Sequence, residues 1–204
     1  MTQPQILARL AHDRTGSGDP VVLIHGIGHR RQAWDPITPL LAERHEVVRL
    51  DLAGFGESPA YPQDKPYTMD NACRDLAANF EEWGLERPHV VGNSLGGAIA
   101  LELAARGLVS SATALSPAGF FGGIDRYWAL ATLTMLKLGA SLPDAALRAN
   151  ARSAVGRRLA GALLYAHPER LSFDSMYGDS LALKRARSFF PIIREGWSYE
   201  LDAT

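Results

Sequence analysis

Short apolar runs alternate with stretches of helical periodicity over the first 120 residues of the chain. Three runs contain β-branched residues and stop at glycine-bearing segments, and a fourth is weaker: Val21–Ile24, Glu46–Leu52, His89–Val91 and Ser111–Leu115. A short apolar run in which neither face carries polar residues is typical of a strand that is covered on both faces. The pattern therefore predicts four strands of one sheet.

The stretches between these runs repeat their apolar residues every three or four positions, as amphipathic helices do. They cover residues 34–41, 70–83 and 95–105, and Gly84 is expected to end the second. In that second stretch Leu76 and Phe80 share one face and Asp75 lies opposite. Strands that alternate with helices predict an α/β fold, with a mostly parallel central sheet and helices on both faces. Such sheets bind ligands at the carboxyl ends of their strands.

The strand pattern ends near Phe120, and the remainder of the chain has a helical character. Residues 125–138, 145–164 and 181–190 have helical periodicity and are separated by glycines and prolines. We therefore predict two parts, a sheet-bearing part at 1–120 and a helical segment at 121–204. His167, beside Pro168, is predicted to face solvent at the start of a helix.

Composition and charge exclude several classes of function. Of 204 residues 47% are hydrophobic and 21% charged, and the net charge of −1 leaves no basic excess for holding a nucleic acid or an anionic membrane. No apolar run reaches the roughly 20 residues of a membrane span, and Met1–Leu10 lacks the pattern of a signal peptide. We expect a cytoplasmic protein, and no oligomeric state is favoured. The single cysteine, Cys73, excludes an internal disulfide and is predicted to be a buried small hydrophobe.

Ser94 is the leading candidate for chemistry. It lies in the sequence Gly-Asn-Ser-Leu-Gly at positions 92–96, directly between an apolar run and a helical stretch. A Gly-x-Ser-x-Gly pattern is weak alone, but a serine between strand and helix is the position of a nucleophile elbow. The tight turn needs small residues two positions before and after the serine, and Gly92 and Gly96 meet that need. The pattern predicts a strained Ser94 with an exposed hydroxyl; a turn without chemistry is the alternative.

A second glycine-bearing segment, His25-Gly26-Ile27-Gly28, closes the first apolar run. Its glycines let the backbone turn its amides toward a ligand. In an acyl-transfer site the amides of Ile27 and Leu95 could both face a developing oxyanion. We interpret His25 as stabilising this loop and not as a base, and an ordinary loop between strand and helix is the alternative.

A third segment, Asp51-Leu-Ala-Gly-Phe-Gly-Glu-Ser58, could by itself be any surface turn. Together the three segments, in this order, resemble the α/β-hydrolase superfamily. The sequence Leu-Ser-Pro-Ala-Gly at 115–119 is also similar to that family at the point where the chain leaves the sheet for a cap. The resemblance covers about residues 6–120, and the remainder only by its helical character.

The resemblance implies a serine hydrolase that forms an acyl-enzyme from an ester, a thioester or an activated carbon–carbon bond. It assigns Ser94 as the nucleophile and the amides of Ile27 and Leu95 as the oxyanion hole. The residues that shape the site are His25, Gly26, Gly92, Asn93 and Gly96. Asn93 is similar to its counterpart in carbon–carbon bond hydrolases of aromatic breakdown, and the serine argues against epoxide hydrolases and haloalkane dehalogenases. The implied partner is a small-molecule substrate with an apolar acyl part, and no metal or organic cofactor is implied.

Under the same resemblance residues 121–204 would be a helical cap. The apolar face of its first helix would roof the site or pack between cap helices: Trp128, Leu130, Leu133 and Leu136. The acid and the histidine of the triad would follow the cap in chain order, whereas Asp125 and His167 are interpreted as residues at helix starts. We therefore expect the acid and the histidine beyond Thr204, and an unpaired outer edge on the fourth strand.

Two alternative functions remain open. The first is a catalytically incomplete fragment or a ligand-binding module that keeps the elbow but lacks the base. The second is a cofactor-free haloperoxidase or a lyase on the same scaffold, because the elbow alone does not separate these reactions.

Overall fold

The computed structural model describes residues 5–120, 123–196 and 199. The strands are β1 (His12–Thr15), β2 (Pro20–Ile24), β3 (Glu46–Leu50), β4 (His89–Asn93) and β5 (Ser111–Leu115). The helices are α1 (Thr38–Ala42), α2 (Met69–Glu82), α3 (Leu95–Ala105), α4 (Gly123–Ala140), α5 (Asp144–Arg152), α6 (Ala154–Gly161), α7 (Phe173–Arg185) and α8 (Phe189–Gly196), with short 3₁₀ helices at Arg31–Trp34 and Pro168–Arg170.

The described strands form one sheet in the order β1-β3-β2-β4-β5. Strands β2 to β5 pair in parallel, and β1 pairs with β3 in the antiparallel sense. The mostly parallel α/β fold and the four strands predicted from the sequence are confirmed. Strand β1 was not predicted, because its sequence, His-Asp-Arg-Thr, contains no apolar residue. Its Asp13 instead accepts hydrogen bonds from Arg31 and Arg49.

The register brings the ends of the central strands level. Ile24 at the end of β2 is paired with Leu50 on β3 and with Gly92 on β4. The segments that follow Ile24 on β2 and Asn93 on β4 therefore leave the sheet at the same end of its strands. Strand β2 lies between β3 and β4, so the chain crosses it on the way from β3 to β4. Crevices at such crossing points are where open α/β sheets bind ligands.

Burial differs sharply across the sheet. Val22, Leu23 and Ile24 of β2 are fully buried. On β5 exposed and half-buried residues alternate, and Leu115 is 44% exposed. Among the described strands β5 pairs with β4 alone. The uncovered strand edge that the sequence predicts is therefore found at β5.

Helix α2 begins and ends at sequence signals. The Thr68 hydroxyl accepts a hydrogen bond from the Asn71 amide, and Gly84, at φ 73°, follows the last turn as predicted. The assignment of Asp75 to the polar face was wrong, because this side chain is 1% exposed. Its carboxylate accepts hydrogen bonds from the amides of Leu7 and Ala8 at 2.7 and 3.1 Å. A chain segment that packs along α2 thus turns a polar position into a buried one.

The chain divides into two compact units. Described residues 5–120, 187–196 and 199 belong to the first unit, and residues 123–186 to the second. Helix α8 belongs to the first unit, together with the sheet. The physical reason is local: the Arg187 amide donates to the Gly54 carbonyl at 2.9 Å, and Phe189 is fully buried.

The second unit is helical, with more breaks than the sequence predicts. Residues 145–164 form two helices because Ser153 is extended and accepts a hydrogen bond from the Gly156 amide. The predicted helix at 181–190 is interrupted between α7 and α8. Lys137 of α4 donates to three carbonyl oxygens at the end of α7, those of Leu183, Lys184 and Ala186. None of the helices in the described residues has the length and hydropathy needed to span a bilayer.

Candidate active site

Ser94 joins β4 to α3 in a strained backbone conformation, with φ 53° and ψ −113°. Its amide donates to the Leu115 carbonyl at 2.9 Å, and its own carbonyl accepts from the amides of Ala98 and Ala118. A serine before a helix ordinarily accepts a hydrogen bond from the first helical turn, but the Ser94 side chain does not. The half-buried hydroxyl is therefore left available for other chemistry.

Glycines make this turn sterically possible. A Cβ atom on Gly92 would collide with the carbonyl of Gly96, and a Cβ atom on Gly96 would collide with the carbonyl of Ile24. Strand β4, helix α3 and strand β2 are thus too close for any side chain at either position. The structure therefore requires glycine at both positions, as the sequence analysis expects for Gly92 and Gly96.

The segment after β2 lies against the elbow. A Cβ atom on Gly26 would stand 3.3 Å from Cβ of Ser94 and 3.5 Å from Nδ2 of Asn93. Ile27 and Gly28 are the central residues of a turn that the His29 amide closes onto the Gly26 carbonyl at 3.2 Å. Gly28 has φ 76°, the value that glycine readily adopts at this position of a type II turn. The sequence-predicted residues His25 to Gly28 and Gly92 to Gly96 are therefore neighbours.

The two amides assigned to the oxyanion hole are both located where a backbone N–H lacks an ordinary partner. Leu95 is the first residue of α3, so its amide has no carbonyl one turn earlier in the helix. Ile27 is the first of the two central residues of the turn, and its amide takes no part in the hydrogen bond that closes the turn. Their roles as donors to an oxyanion stay predictions.

His25 is buried and engaged on both ring nitrogens. Nδ1 lies 2.7 Å from the Gly26 carbonyl oxygen, and Nε2 lies 3.0 Å from the Leu52 amide nitrogen. A carbonyl only accepts and an amide only donates, so Nδ1 carries the proton and Nε2 accepts. Burial lowers the pKa of His25 to about 4, although the hydrogen bond to Gly26 and the Asp51 carboxylate oppose this shift. The only lone pair of the neutral ring is taken by the Leu52 amide, so His25 is unsuited to act as a base on Ser94.

The loop after β3 is organised around the fully buried carboxylate of Asp51. It accepts hydrogen bonds from the Arg31 amide at 2.6 Å, from the Arg31 guanidinium, and from the Glu57 amide at 3.0 Å. A Cβ atom on Gly56, which has φ 50°, would collide with this carboxylate. The Ser58 hydroxyl donates to the Asp51 carbonyl at 2.5 Å. Asp51 and Arg31 were not among the predicted site residues, although the Asp-x-x-Gly-x-Gly-x-Ser pattern contains the signal for Asp51.

In the part of the chain that the structure describes, no hydrogen bond joins Ser94 to a candidate base. Within the described residues the Ser94 side chain forms no hydrogen bond with a histidine or a carboxylate. His167 precedes the 3₁₀ helix Pro168–Arg170, its side chain is 60% exposed, and its Nδ1 lies 3.4 Å from the Glu169 carboxylate. Its predicted solvent-facing position is confirmed. The described residues also contain no cluster of three or more His, Cys, Asp or Glu side chains that could hold a metal ion.

The sequence model of the alpha/beta hydrolase fold matches residues 19–199. The chain belongs to the α/β-hydrolase fold family. The superfamily resemblance drawn from the glycine-bearing segments is therefore confirmed.

Individual relatives match shorter stretches of the chain. A putative carbamate hydrolase, RutD, of Azorhizobium caulinodans is 36% identical over 97 residues, which are 48% of this chain and 36% of the relative. A 2-hydroxy-6-oxo-2,4-heptadienoate hydrolase of Pseudomonas putida is 37% identical over 98 residues, 47% of this chain and 35% of the relative. The chain thus spans about a third of the length of these relatives.

Solved structures agree on the α/β-hydrolase fold. A thermophilic esterase from Thermogutta terrifontis superposes with a TM-score of 0.66 and 20% sequence identity, over 97% of this chain and 70% of the esterase. At this identity the likeness concerns the fold alone.

Proposed function

We propose that this chain carries the nucleophile and the oxyanion hole of an α/β-fold serine hydrolase. The observation that carries the proposal is the conformation of Ser94, which is strained, lies between β4 and α3, and leaves its hydroxyl unused by the helix. Backbone strain of this kind persists where the surrounding structure enforces it, and it clusters at active sites. Neighbouring glycines that admit no side chain enforce it here.

The proposed reaction is acyl transfer to Ser94. The Oγ atom bonds to the carbonyl carbon of the substrate, while a base takes the hydroxyl proton and the amides of Ile27 and Leu95 stabilise the negative oxygen. The bond to the leaving group then breaks, the leaving group takes up the proton, and water hydrolyses the acyl-enzyme. Relatives named as hydrolases of a carbamate and of a dienoate support a small carbonyl substrate.

A second candidate is a ligand-binding module that keeps the elbow without a base. The observation in its favour is that no described histidine bonds to Ser94. A serine hydroxyl without a base is a poor nucleophile at neutral pH. The sequence-based expectation that the acid and histidine lie beyond Thr204 stays a prediction, as does the role of residues 121–204 as a cap.

Labelling with a fluorophosphonate probe separates the two candidates. In a polypeptide that also carries the acid and the histidine of the triad, we expect the probe to attach to the peptide that contains Ser94, and labelling to fall to the reagent blank in Ser94→Ala. Ser116→Ala is the matched control, because Ser116 also follows a strand at positive φ (44°) but does not begin a helix. If that polypeptide is folded and the probe does not label it, the ligand-binding module is favoured. If the probe labels Ser94→Ala as strongly as the wild type, Ser94 is not the residue that it modifies, and the proposed role of Ser94 is contradicted.

A further inference from the structure

Helix α6 exposes its large apolar side chains. Val155 and Leu159 lie one turn apart on the same face of the helix, and they are 70% and 78% exposed. Leu163 continues this spacing in the turn that follows α6, and it is 64% exposed. Single exposed apolar side chains are ordinary on protein surfaces, but here successive aliphatic residues share one exposed face. We call Val155, Leu159 and Leu163 the aliphatic row.

The inward side of α6 is occupied by glycines and by one arginine. A Cβ atom on Gly156 would collide with the Asn150 carbonyl of α5, and a Cβ atom on Gly161 would collide with the Pro168 side chain. The Arg157 guanidinium donates to two backbone carbonyls at 2.8 and 3.0 Å. The helix therefore packs on its neighbours through its backbone and a polar side chain, and this packing leaves the aliphatic row uncovered.

The charge around the aliphatic row is basic. Between residues 144 and 170 the chain has five arginines and two acidic residues, although the net charge of the whole chain is −1. The two acidic residues lie beside Lys184 and His167. Arg152 and Arg158 are exposed, and neither forms a salt bridge within the described residues. The charge balance of the whole chain thus conceals a local basic excess next to the row.

We propose that the aliphatic row docks on an anionic lipid surface, with its side chains among the acyl chains and Arg152 and Arg158 at the negatively charged headgroups. A helix that lies in a membrane interface combines the same two features, an apolar face and basic residues beside it. Burial of the aliphatic side chains favours binding to any bilayer, and the arginines add the preference for anionic lipids. The proposal does not depend on the reaction at Ser94.

A second copy of the chain fits this surface less well. In a twofold dimer the same surface of both copies meets, so Arg152 and Arg158 would face their own counterparts. An eight-residue helix is about 12 Å long. A surface of that length is small beside the roughly 800 Å² that each partner buries in a stable protein complex. An anionic bilayer imposes neither difficulty, because it has no fixed shape and carries the opposite charge.

Flotation with lipid vesicles tests the proposal on the full chain. We expect binding to phosphatidylcholine vesicles that contain about one third phosphatidylglycerol, and weaker binding to pure phosphatidylcholine. Leu159→Gln should lower the partition coefficient on the mixed vesicles about tenfold, because an aliphatic side chain no longer enters the bilayer. Leu40→Gln is the matched control. Leu40 is 68% exposed on α1 of the first unit, so this variant should stay within about twofold of the wild type.

Substitution of an arginine tests the contribution of charge. Arg158→Gln should lower the partition coefficient on the mixed vesicles about fivefold and leave binding to phosphatidylcholine unchanged, because each basic residue at an anionic surface adds about that factor. Arg44→Gln removes the same charge from an exposed position of the first unit and should leave both values unchanged. Equal losses in the two arginine variants would show attraction by net charge alone and would overturn the proposal.

A fluorescent dye locates the bound surface. Cys73 is fully buried, so a maleimide dye on the folded chain attaches to an introduced cysteine. On the mixed vesicles the emission of the dye should shift to the blue in Leu163→Cys and not in Leu40→Cys. The proposal is overturned if the chain does not bind the mixed vesicles, or if Leu159→Gln and Leu40→Gln lose binding equally. A dimer in sedimentation velocity that Leu159→Gln abolishes would also overturn it, because the aliphatic row would then join two copies.

Discussion

The two segments that meet beside Ser94 obtain their shapes from different forces. At the elbow the backbones of β4, α3 and β2 approach so closely that no side chain fits at Gly92 or Gly96. In the turn at 25–28 a buried side chain, His25, holds the backbone by hydrogen bonds. Close packing of backbone leaves no room for a side chain, whereas a hydrogen-bonded turn depends on keeping one particular side chain. Substitutions should therefore damage the two segments in different ways.

The largest effect is expected at the elbow. Gly92→Ala should lower the free energy of unfolding by more than about 4 kcal/mol, because the added Cβ meets the backbone of Gly96 and not a movable side chain. Urea unfolding measures this change. Gly139→Ala in α4 is the control, since a Cβ there meets no heavy atom within 4 Å, and it should gain about 0.5–1 kcal/mol from helix propensity. A mild effect of Gly92→Ala would contradict the steric account.

A smaller effect is expected where hydrogen bonds set the shape. Asp51→Asn should cost about 3 kcal/mol, because an amide NH₂ would face the buried donors of Arg31 and Glu57. Asp64→Asn serves as the control. The Asp64 side chain is 74% exposed and forms a surface ion pair with Lys65, so the substitution should change the free energy of unfolding by no more than about 0.5 kcal/mol. If the two substitutions cost the same in urea unfolding, Asp51 does not organise the loop.

The smallest of these effects is a pH dependence at the turn. The pKa of His25 is about 4 in the folded chain against 6.5 for an unperturbed histidine, so the unfolded state binds a proton first as the pH falls. The contribution of His25 to the free energy of unfolding is complete above about pH 6.5 and is lost as the pH falls toward 4. Between pH 7 and pH 5 this contribution should decrease by about 2 kcal/mol. Asp51 and His29 are the ionisable groups that act on the ring.

The difference in unfolding free energy between wild type and His25→Gln isolates this contribution. Carboxylates away from the ring titrate alike in both proteins, so the difference should shrink by about 2 kcal/mol from pH 7 to pH 5. A difference that is constant with pH would show that His25 is not held neutral in the folded chain.

The elbow and the parallel sheet could be predicted from the sequence because their determinants are local. Apolar runs mark β2, β3 and β4, and the spacing of Gly92 and Gly96 around Ser94 marks the turn. These features depend on residues within a few positions of one another. The family resemblance adds the order of the segments, which the match to residues 19–199 confirms.

Features that depend on distant partners could not be predicted. Asp75 belongs to the polar face by periodicity and is buried because the amides of Leu7 and Ala8 reach it. Strand β1 is polar and exists because it pairs with β3. The Nδ1 tautomer of His25 follows only from the positions of Gly26 and Leu52, which the fold brings to the ring. In each instance at least one hydrogen bond to a residue far away in the chain, to Leu7, to β3 or to Leu52, decides the outcome.

The pairing of Ser94 with Leu115 has a mechanical consequence. The elbow is tied by its amide to the last residue of β5, an edge strand with no fully buried residue. Local opening costs least free energy where few contacts must break. Fraying of β5 therefore reaches Ser94 through one backbone hydrogen bond, so whatever stiffens β5 also stabilises the conformation of Ser94.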